Sequence, residues 1–146
     1  MRARTDLLNC IFKHIFYDYC MNSFLKYNTL SIAWALLILV LCLMPGKDLP
    51  TVNILNFDKL AHFSIYLLLA LMLYYGWKKQ DSFLSLHSNT IIKILLITSI
   101  YGFVVEILQE LLTSDRHFDI FDALANAIGG MAGSLMGTFV KQKLSL

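Results

Sequence analysis

The amino-acid sequence predicts an all-α membrane protein with about four transmembrane helices, and three observations support this fold class. Hydrophobic residues make up 58% of the 146 residues and charged residues only 15%, whereas soluble domains average about 45–50% and about 25%. The mean hydropathy is +0.63. The apolar residues lie in four runs of roughly the 20 residues needed to cross a bilayer. This composition excludes a disordered chain, and a net charge of +2 spread along the sequence gives no sign of nucleic-acid binding.

The first two spans have clear apolar runs. The first is predicted from Leu30 to Met44, extended backwards through Tyr27, and the Pro45-Gly46 pair ends it. The second is predicted from about Leu60 to Trp77. A domain boundary is therefore placed before Tyr27, with 27–146 as a four-helix membrane domain.

Residues 1–26 fit this plan less well, because Lys13 interrupts their apolar stretch. We interpret them as a cytoplasmic or interfacial lead segment lying on the membrane surface. The alternative is that Met21 is the true start and that residues 1–20 are not translated.

The third and fourth spans differ in composition. The third is predicted from about Ile91 to Leu112, and the fourth from about Ile120 to Val140. The fourth is rich in small residues, which recur every four positions at Ala125, Gly129, Gly133 and Gly137. Such a stripe permits close helix packing, and packing alone explains it.

The distribution of basic residues predicts the orientation. Nine of the twelve Lys and Arg residues precede span one, separate spans two and three, or follow span four. By the positive-inside rule both termini are cytoplasmic, and the loops 45–59 and 113–119 face outward. We therefore expect a multi-pass protein of the cell (cytoplasmic) membrane.

Polar residues are concentrated at the predicted outer ends of spans two to four. The candidates are Asp58, Lys59, His62 and Tyr66 on span two, Glu106 and Gln109 on span three, Arg116 in the following loop, and Asp119, Asp122 and Asn126 at the start of span four. On each helix they share a face, because they recur at intervals of three or four residues. Three helix ends meeting there would form a polar cavity.

Two carboxylates in this set, Glu106 and Asp122, lie within the apolar sequence of a predicted span. Burying Glu106 or Asp122 costs about 2.5–3.5 kcal/mol, so each normally faces a partner or a water-filled cavity. Several alternatives remain open: a divalent metal on His62, Glu106 and Asp122, acid–base chemistry beside a basic anion clamp, or a proton-coupled path. The same residues also have structural explanations, with Asp58 and Asp119 as helix caps, His62 as an interhelical hydrogen-bond partner and the carboxylates in ion pairs.

Three short motifs in order resemble the VanZ-like family. They are D-K-L-A-H-F-S-I-Y (58–66), E-I-L-Q (106–109) and R-H-F-D-I-F-D-A-L-A-N-A-I-G-G (116–130). The resemblance covers about residues 30 to 140. Many members have a proline shortly before the arginine, where this chain has Thr113-Ser114-Asp115.

The resemblance implies an envelope function, because the family's namesake is associated with reduced susceptibility to the lipoglycopeptide teicoplanin. We expect a protein that acts at the outer leaflet by binding or modifying a lipid-linked or anionic envelope component, such as a cell-wall precursor. Glu106 and Asp122 would then be the ionised or proton-exchanging pair, and His62 a base or ligand. Arg116 with Lys59 would hold the anion, while Gln109 and Asn126 would orient the others. Alternatives are a small ion or lipid transporter and a structural membrane partner, and a homo-oligomer would shield the glycine face.

Overall fold

Four helices account for the secondary structure of the computed structural model. It describes residues 2–44, 57–79, 89–114 and 117–144, and the side chains of those between 23 and 140. The helices are α1 (Arg2–Leu43), α2 (Phe57–Lys78), α3 (Thr90–Leu112) and α4 (Ile120–Leu144). The described residues contain no strand, which confirms the all-α fold class.

Each helix contains a segment long and apolar enough to cross a membrane. These segments are Ser23–Leu43, Phe57–Lys78, Thr90–Leu112 and Ile120–Val140. They confirm the four predicted spans to within a few residues at most ends. The first helix is much longer than its span and continues through residue 26 without a break. Secondary structure therefore does not mark the predicted end of the lead segment, and that division stays a prediction.

The small residues of α4 pack directly on the backbone of α2. A Cβ added at Gly129 would lie 3.0 Å from the carbonyl carbon of Phe63, and one at Gly133 would lie 2.9 Å from Cβ of Ala70. Neither helix could approach so closely with larger side chains at these positions. The predicted packing role of the stripe is confirmed, and α2 is the partner that it contacts.

Hydrogen bonds from aromatic side chains attach α1 to the other helices. Nε1 of Trp34 donates to the carbonyl oxygen of Ile65 at 3.0 Å. The hydroxyl of Tyr101 on α3 donates to the carbonyl oxygen of Ala35 at 2.5 Å. The residues that form these bonds pack against an apolar core of Ile38, Cys42, Tyr66, Leu69 and Val105.

The outward faces of the bundle are strongly apolar. Large side chains such as Leu30, Ile100, Leu111 and Phe139 are each more than 60% exposed. A water-soluble protein would bury such a surface, since its exposure costs roughly 25 cal/mol per Å². In a bilayer the same side chains face lipid, so the exposed faces and the helix lengths together define a multi-pass membrane protein.

Candidate functional site

A group of buried polar side chains lies where α2 and α4 begin and α3 ends. Buried polar residues are expensive in a membrane protein unless they contact one another. His62 is 4% exposed, Glu106 1% and Asn126 0%. These three residues come from three different helices, and they form the centre of the site.

The imidazole of His62 joins the three helices. Its Nδ1 lies 3.0 Å from Oδ1 of Asn126 on α4. The same nitrogen lies 3.4 Å from Oε1 of Glu106 on α3. The amide oxygen of Asn126 is a hydrogen-bond acceptor, so Nδ1 donates to it when this nitrogen carries a proton.

The second ring nitrogen of His62, Nε2, lies on the other side of the imidazole. That nitrogen faces Asp58, whose Oδ1 lies 3.8 Å away and beyond hydrogen-bonding distance. Buried acceptors thus fix the orientation of the ring, while its second nitrogen faces the partly exposed start of α2. An imidazole held in this way can act as a general base or a metal ligand.

Lys59 forms a second group of contacts beside the histidine. Its ammonium donates to Oδ2 of Asp119 at 2.7 Å and to Oδ1 of Asp122 at 3.0 Å. The side chain of Asp122 is 8% exposed, so the ammonium balances a buried carboxylate. These two bonds attach the first turn of α2 to the start of α4.

Asp119 also caps α4. Its Oδ1 accepts a hydrogen bond from the backbone N–H of Phe121 at 2.8 Å, as the sequence predicts for an N-terminal cap. The hydrogen bond from Lys59, with a further contribution from this N–H, lowers the pKa of the Asp119 carboxyl below its ordinary value. The carboxylate is therefore ionised at neutral pH.

The contacts of Lys59 bear on its expected role as part of an anion clamp. An anion that approached this ammonium would compete with two carboxylates that already accept its hydrogen bonds. Arg116, the other predicted member of the clamp, lies outside the described residues.

Gln109 and Tyr66 extend the polar site towards α1. Nε2 of Gln109 donates to the carbonyl oxygen of Cys42 at 2.7 Å, so this amide holds the end of α1 against α3. Tyr66 is fully buried one turn below His62 on α2. Within the described part of the chain its hydroxyl has no hydrogen-bond partner.

The candidate residues of the described segments thus lie together at one end of the bundle, but their grouping differs from the predicted one. The predicted metal set was His62, Glu106 and Asp122, and Glu106 lies beside Nδ1 of the ring. Ligand atoms of Asp58, His62 and Asp122 instead lie within 4.8 Å of one another. The histidine separates Asp58 from Glu106 because each faces a different ring nitrogen.

Gly102 contributes to the site and was not predicted from the sequence. A Cβ at Gly102 would lie 2.8 Å from Cβ of Asn126, so only glycine leaves room for this asparagine beside α3. The signal was present in the sequence, since Gly102 precedes Glu106 by four residues and therefore shares its helix face.

The fold and the site define a helical membrane protein with a buried histidine–carboxylate–amide centre near one end of its bundle. A family model described as VanZ/LLP1 matches residues 3–141, and the chain belongs to this family. The match includes most of the lead segment, which the motif resemblance from about residue 30 does not reach. Neither a curated protein nor a solved structure matches the chain.

Proposed function

We propose that this protein lowers the susceptibility of the cell to lipoglycopeptides such as teicoplanin. It does so from the cell membrane, by binding or modifying a lipid-linked or anionic envelope component at the outer leaflet. Family membership supports the envelope context. The excess of basic residues in the other loops supports an outward-facing site.

One observation carries the proposal: α3 and α4 each place a buried polar side chain against the buried imidazole that α2 contributes. Packing could be achieved with apolar residues at lower cost, because a buried polar group needs a partner to offset its desolvation. The contacts of His62 with Glu106 and Asn126 fix its ring, which is the condition for a ligand-binding or acid–base role.

The contacts also suggest a division of roles. His62 acts as the base or ligand, and Glu106 and Asn126 hold it in position. Lys59 organises Asp119 and Asp122, so the anion is held chiefly by Arg116. Gln109 maintains the attachment of α1 beside the site.

The proposal is tested by susceptibility measurements in a teicoplanin-sensitive Gram-positive host. The wild type, Asp122→Asn and Glu110→Gln are expressed at equal amounts in the membrane. Asp122 is buried in the site, whereas Glu110 is an exposed carboxylate on α3. We expect the wild type and Glu110→Gln to protect and Asp122→Asn to lose protection.

Two results would contradict the proposal. If the wild type does not protect, the family's envelope role does not extend to this chain. If Asp122→Asn protects as well as the wild type, the site is a packed polar core, and a structural membrane partner becomes the better interpretation.

Among the residues that the structure describes, none makes a hydrogen bond with the hydroxyl of Tyr66, and this favours transport as a second candidate function. This hydroxyl lies one turn deeper than His62 on the same helix, so the two groups extend a polar path into the bundle. A transporter predicts ion flux into vesicles that depends on membrane potential or on a pH gradient and that Tyr66→Phe reduces. Flux equal to that of protein-free vesicles would exclude it.

A further inference from the structure

We propose that a cavity at the end of the bundle opposite to His62 binds the phosphate headgroup of an anionic membrane lipid. The cavity has a volume of about 320 Å³ and lies between the end of α2 and the start of α3, and α4 also contributes to its lining. Its lysine, Lys78, follows His62 by 16 residues on α2, which places the two sites about 24 Å apart along the helix axis. The inference is therefore separate from the proposed function.

The first argument is the size of the cavity. Packed protein interiors contain few gaps larger than a water molecule, whereas ligand-binding cavities typically have volumes of about 300–1,000 Å³. The volume of this cavity therefore lies at the lower end of the range for ligand sites. A small polar headgroup suits such a volume, and the acyl chains of the same lipid would lie outside it, along the apolar faces of the helices.

The second argument is the lining, which combines hydrogen-bonding and apolar side chains. Asn89 lines the cavity, and because its side chain makes no capping hydrogen bond to α3, the amide can donate to a phosphate oxygen. The hydroxyl of Thr138 donates to the carbonyl oxygen of Leu135, and its lone pairs can accept a hydrogen bond from a headgroup hydroxyl. Ile92 also lines the cavity and is 56% exposed, so the cavity adjoins the apolar surface that lipid covers.

The third argument is the positive charge at this end of the bundle. Lys78 lines the cavity, and its Nζ lies 5.8 Å from the centre of the Tyr74 ring, which lines the cavity too. Lys79 follows it in the sequence, Lys93 lies in the first turn of α3, and Asp81 is the only acidic residue between these lysines. Three lysines against one aspartate leave an excess charge of +2. This charge attracts an anion whatever other contacts the ammonium groups make.

The start of α3 adds to the positive field of the lysines. The first backbone N–H groups of a helix have no partner within that helix, and the helix dipole favours negative charge at this end. The first turn of α3 contains no acidic residue, and the side chain of Asn89 does not cap it. An anion in the cavity is therefore stabilised by the helix end as well as by Lys78.

The position of the cavity favours a lipid over a free phosphate ion, although both offer the same oxygen atoms. The segments Phe57–Lys78 and Thr90–Leu112 are each long enough to cross a bilayer, so the end of α2 and the start of α3 lie at the level of the lipid headgroups. Basic pockets between transmembrane helices bind anionic lipid headgroups at this level.

The test measures lipid binding by the purified full-length protein in detergent with native mass spectrometry. Phosphatidylglycerol is the probe, phosphatidylcholine with the same acyl chains is the zwitterionic comparison, and excess inorganic phosphate is the competitor. Lys78→Gln removes the charge that lines the cavity, and Thr138→Phe fills the cavity without a change of charge. Lys26→Gln is the matched control, because Lys26 lies at the same end of the bundle with its Nζ 5.6 Å from the ring of Tyr27, but outside the cavity lining. Thermal unfolding in lipid-free detergent checks the fold of each variant.

We expect the wild type and Lys26→Gln to bind one phosphatidylglycerol per chain in preference to phosphatidylcholine. Lys78→Gln should bind phosphatidylglycerol about fivefold more weakly, which is the effect of one lysine charge near an anionic lipid, and Thr138→Phe should lose the preference. Equal binding of the two lipids by the wild type, or equal weakening in Lys78→Gln and Lys26→Gln, would overturn the inference. Displacement of phosphatidylglycerol by inorganic phosphate would also overturn it, because a free anion would then be the ligand.

Discussion

The contact between Gly129 and α2 provides the sharpest prediction about how the bundle is held together. A Cβ at this position would lie 3.0 Å from the carbonyl carbon and 3.1 Å from the Cα of Phe63, and closer still to the carbonyl oxygen. All three atoms belong to the backbone of a helix. Gly129→Ala can therefore be accommodated only if α2 and α4 move apart.

The magnitude follows from two opposing effects. Overfilling a packed contact typically costs about 1–3 kcal/mol. Alanine recovers up to about 1 kcal/mol because its helix propensity exceeds that of glycine. Because the added Cβ would meet backbone atoms, the cost of overfilling should lie near the top of its range, at about 2–3 kcal/mol, and we expect Gly129→Ala to lower the free energy of unfolding by about 1–2 kcal/mol.

Gly137→Ala is the matched control, because the chemical change and the helix are the same. The three atoms nearest to the added Cβ all belong to the side chain of Tyr74, with Cδ1 at 2.5 Å and Cγ at 2.6 Å, and a change of the Tyr74 χ1 angle can move both without moving a helix backbone. Unfolding in detergent, followed by thermal scanning of the purified variants, should show a larger loss for Gly129→Ala. Equal losses, or a neutral Gly129→Ala, would refute the close backbone contact.

Three further predictions concern separate parts of the molecule. Because the pKa of Asp119 is lowered, its bond to Lys59 stabilises the fold above the ordinary carboxyl pKa of about 3.9, and this stabilisation is lost as the pH falls below that value. Unfolding measured between neutral and acid pH should therefore depend less on acid in Asp119→Asn than in the wild type. An unchanged pH profile would contradict this. Trp34→Phe removes the bond to the Ile65 carbonyl and should cost about 1 kcal/mol in detergent unfolding, whereas unaltered stability would show that the bond contributes nothing. A cysteine at Asn53, with the native cysteines replaced by serine, should react with an impermeant thiol reagent in intact cells, and protection from the reagent would reverse the orientation.

Much of the fold could be predicted because the apolar runs end sharply. Span three was predicted from Ile91 and begins at Thr90, and its end at Leu112 was predicted correctly. The early part of α1 was predicted as a separate lead segment on the membrane surface, because Lys13 interrupts its apolar stretch, and not as a continuation of the first span. Local sequence carries little information about whether a helix continues beyond the membrane.

The site could be predicted as a set of residues but not as a set of contacts. Spacing along one helix placed His62 with Asp58, and Glu106 with Gln109, because residues three or four apart share a face. It could not show that Glu106 faces Nδ1 while Asp58 faces Nε2, since this depends on how α3 rotates against α2. The pairing of Lys59 with Asp119 and Asp122 was not predicted either, because it depends on how α2 rotates against α4.

We propose that the buried polar centre around His62 performs a function and does more than hold the helices together. Teicoplanin susceptibility of cells carrying Glu106→Gln, compared with cells carrying Glu110→Gln, tests it most directly. Both changes remove one carboxylate from α3, but Glu106 contacts His62, whereas Glu110 lies beside the exposed His117. At equal amounts of folded protein in the membrane, we predict that Glu106→Gln loses protection and Glu110→Gln retains it. Full protection by Glu106→Gln would contradict the claim.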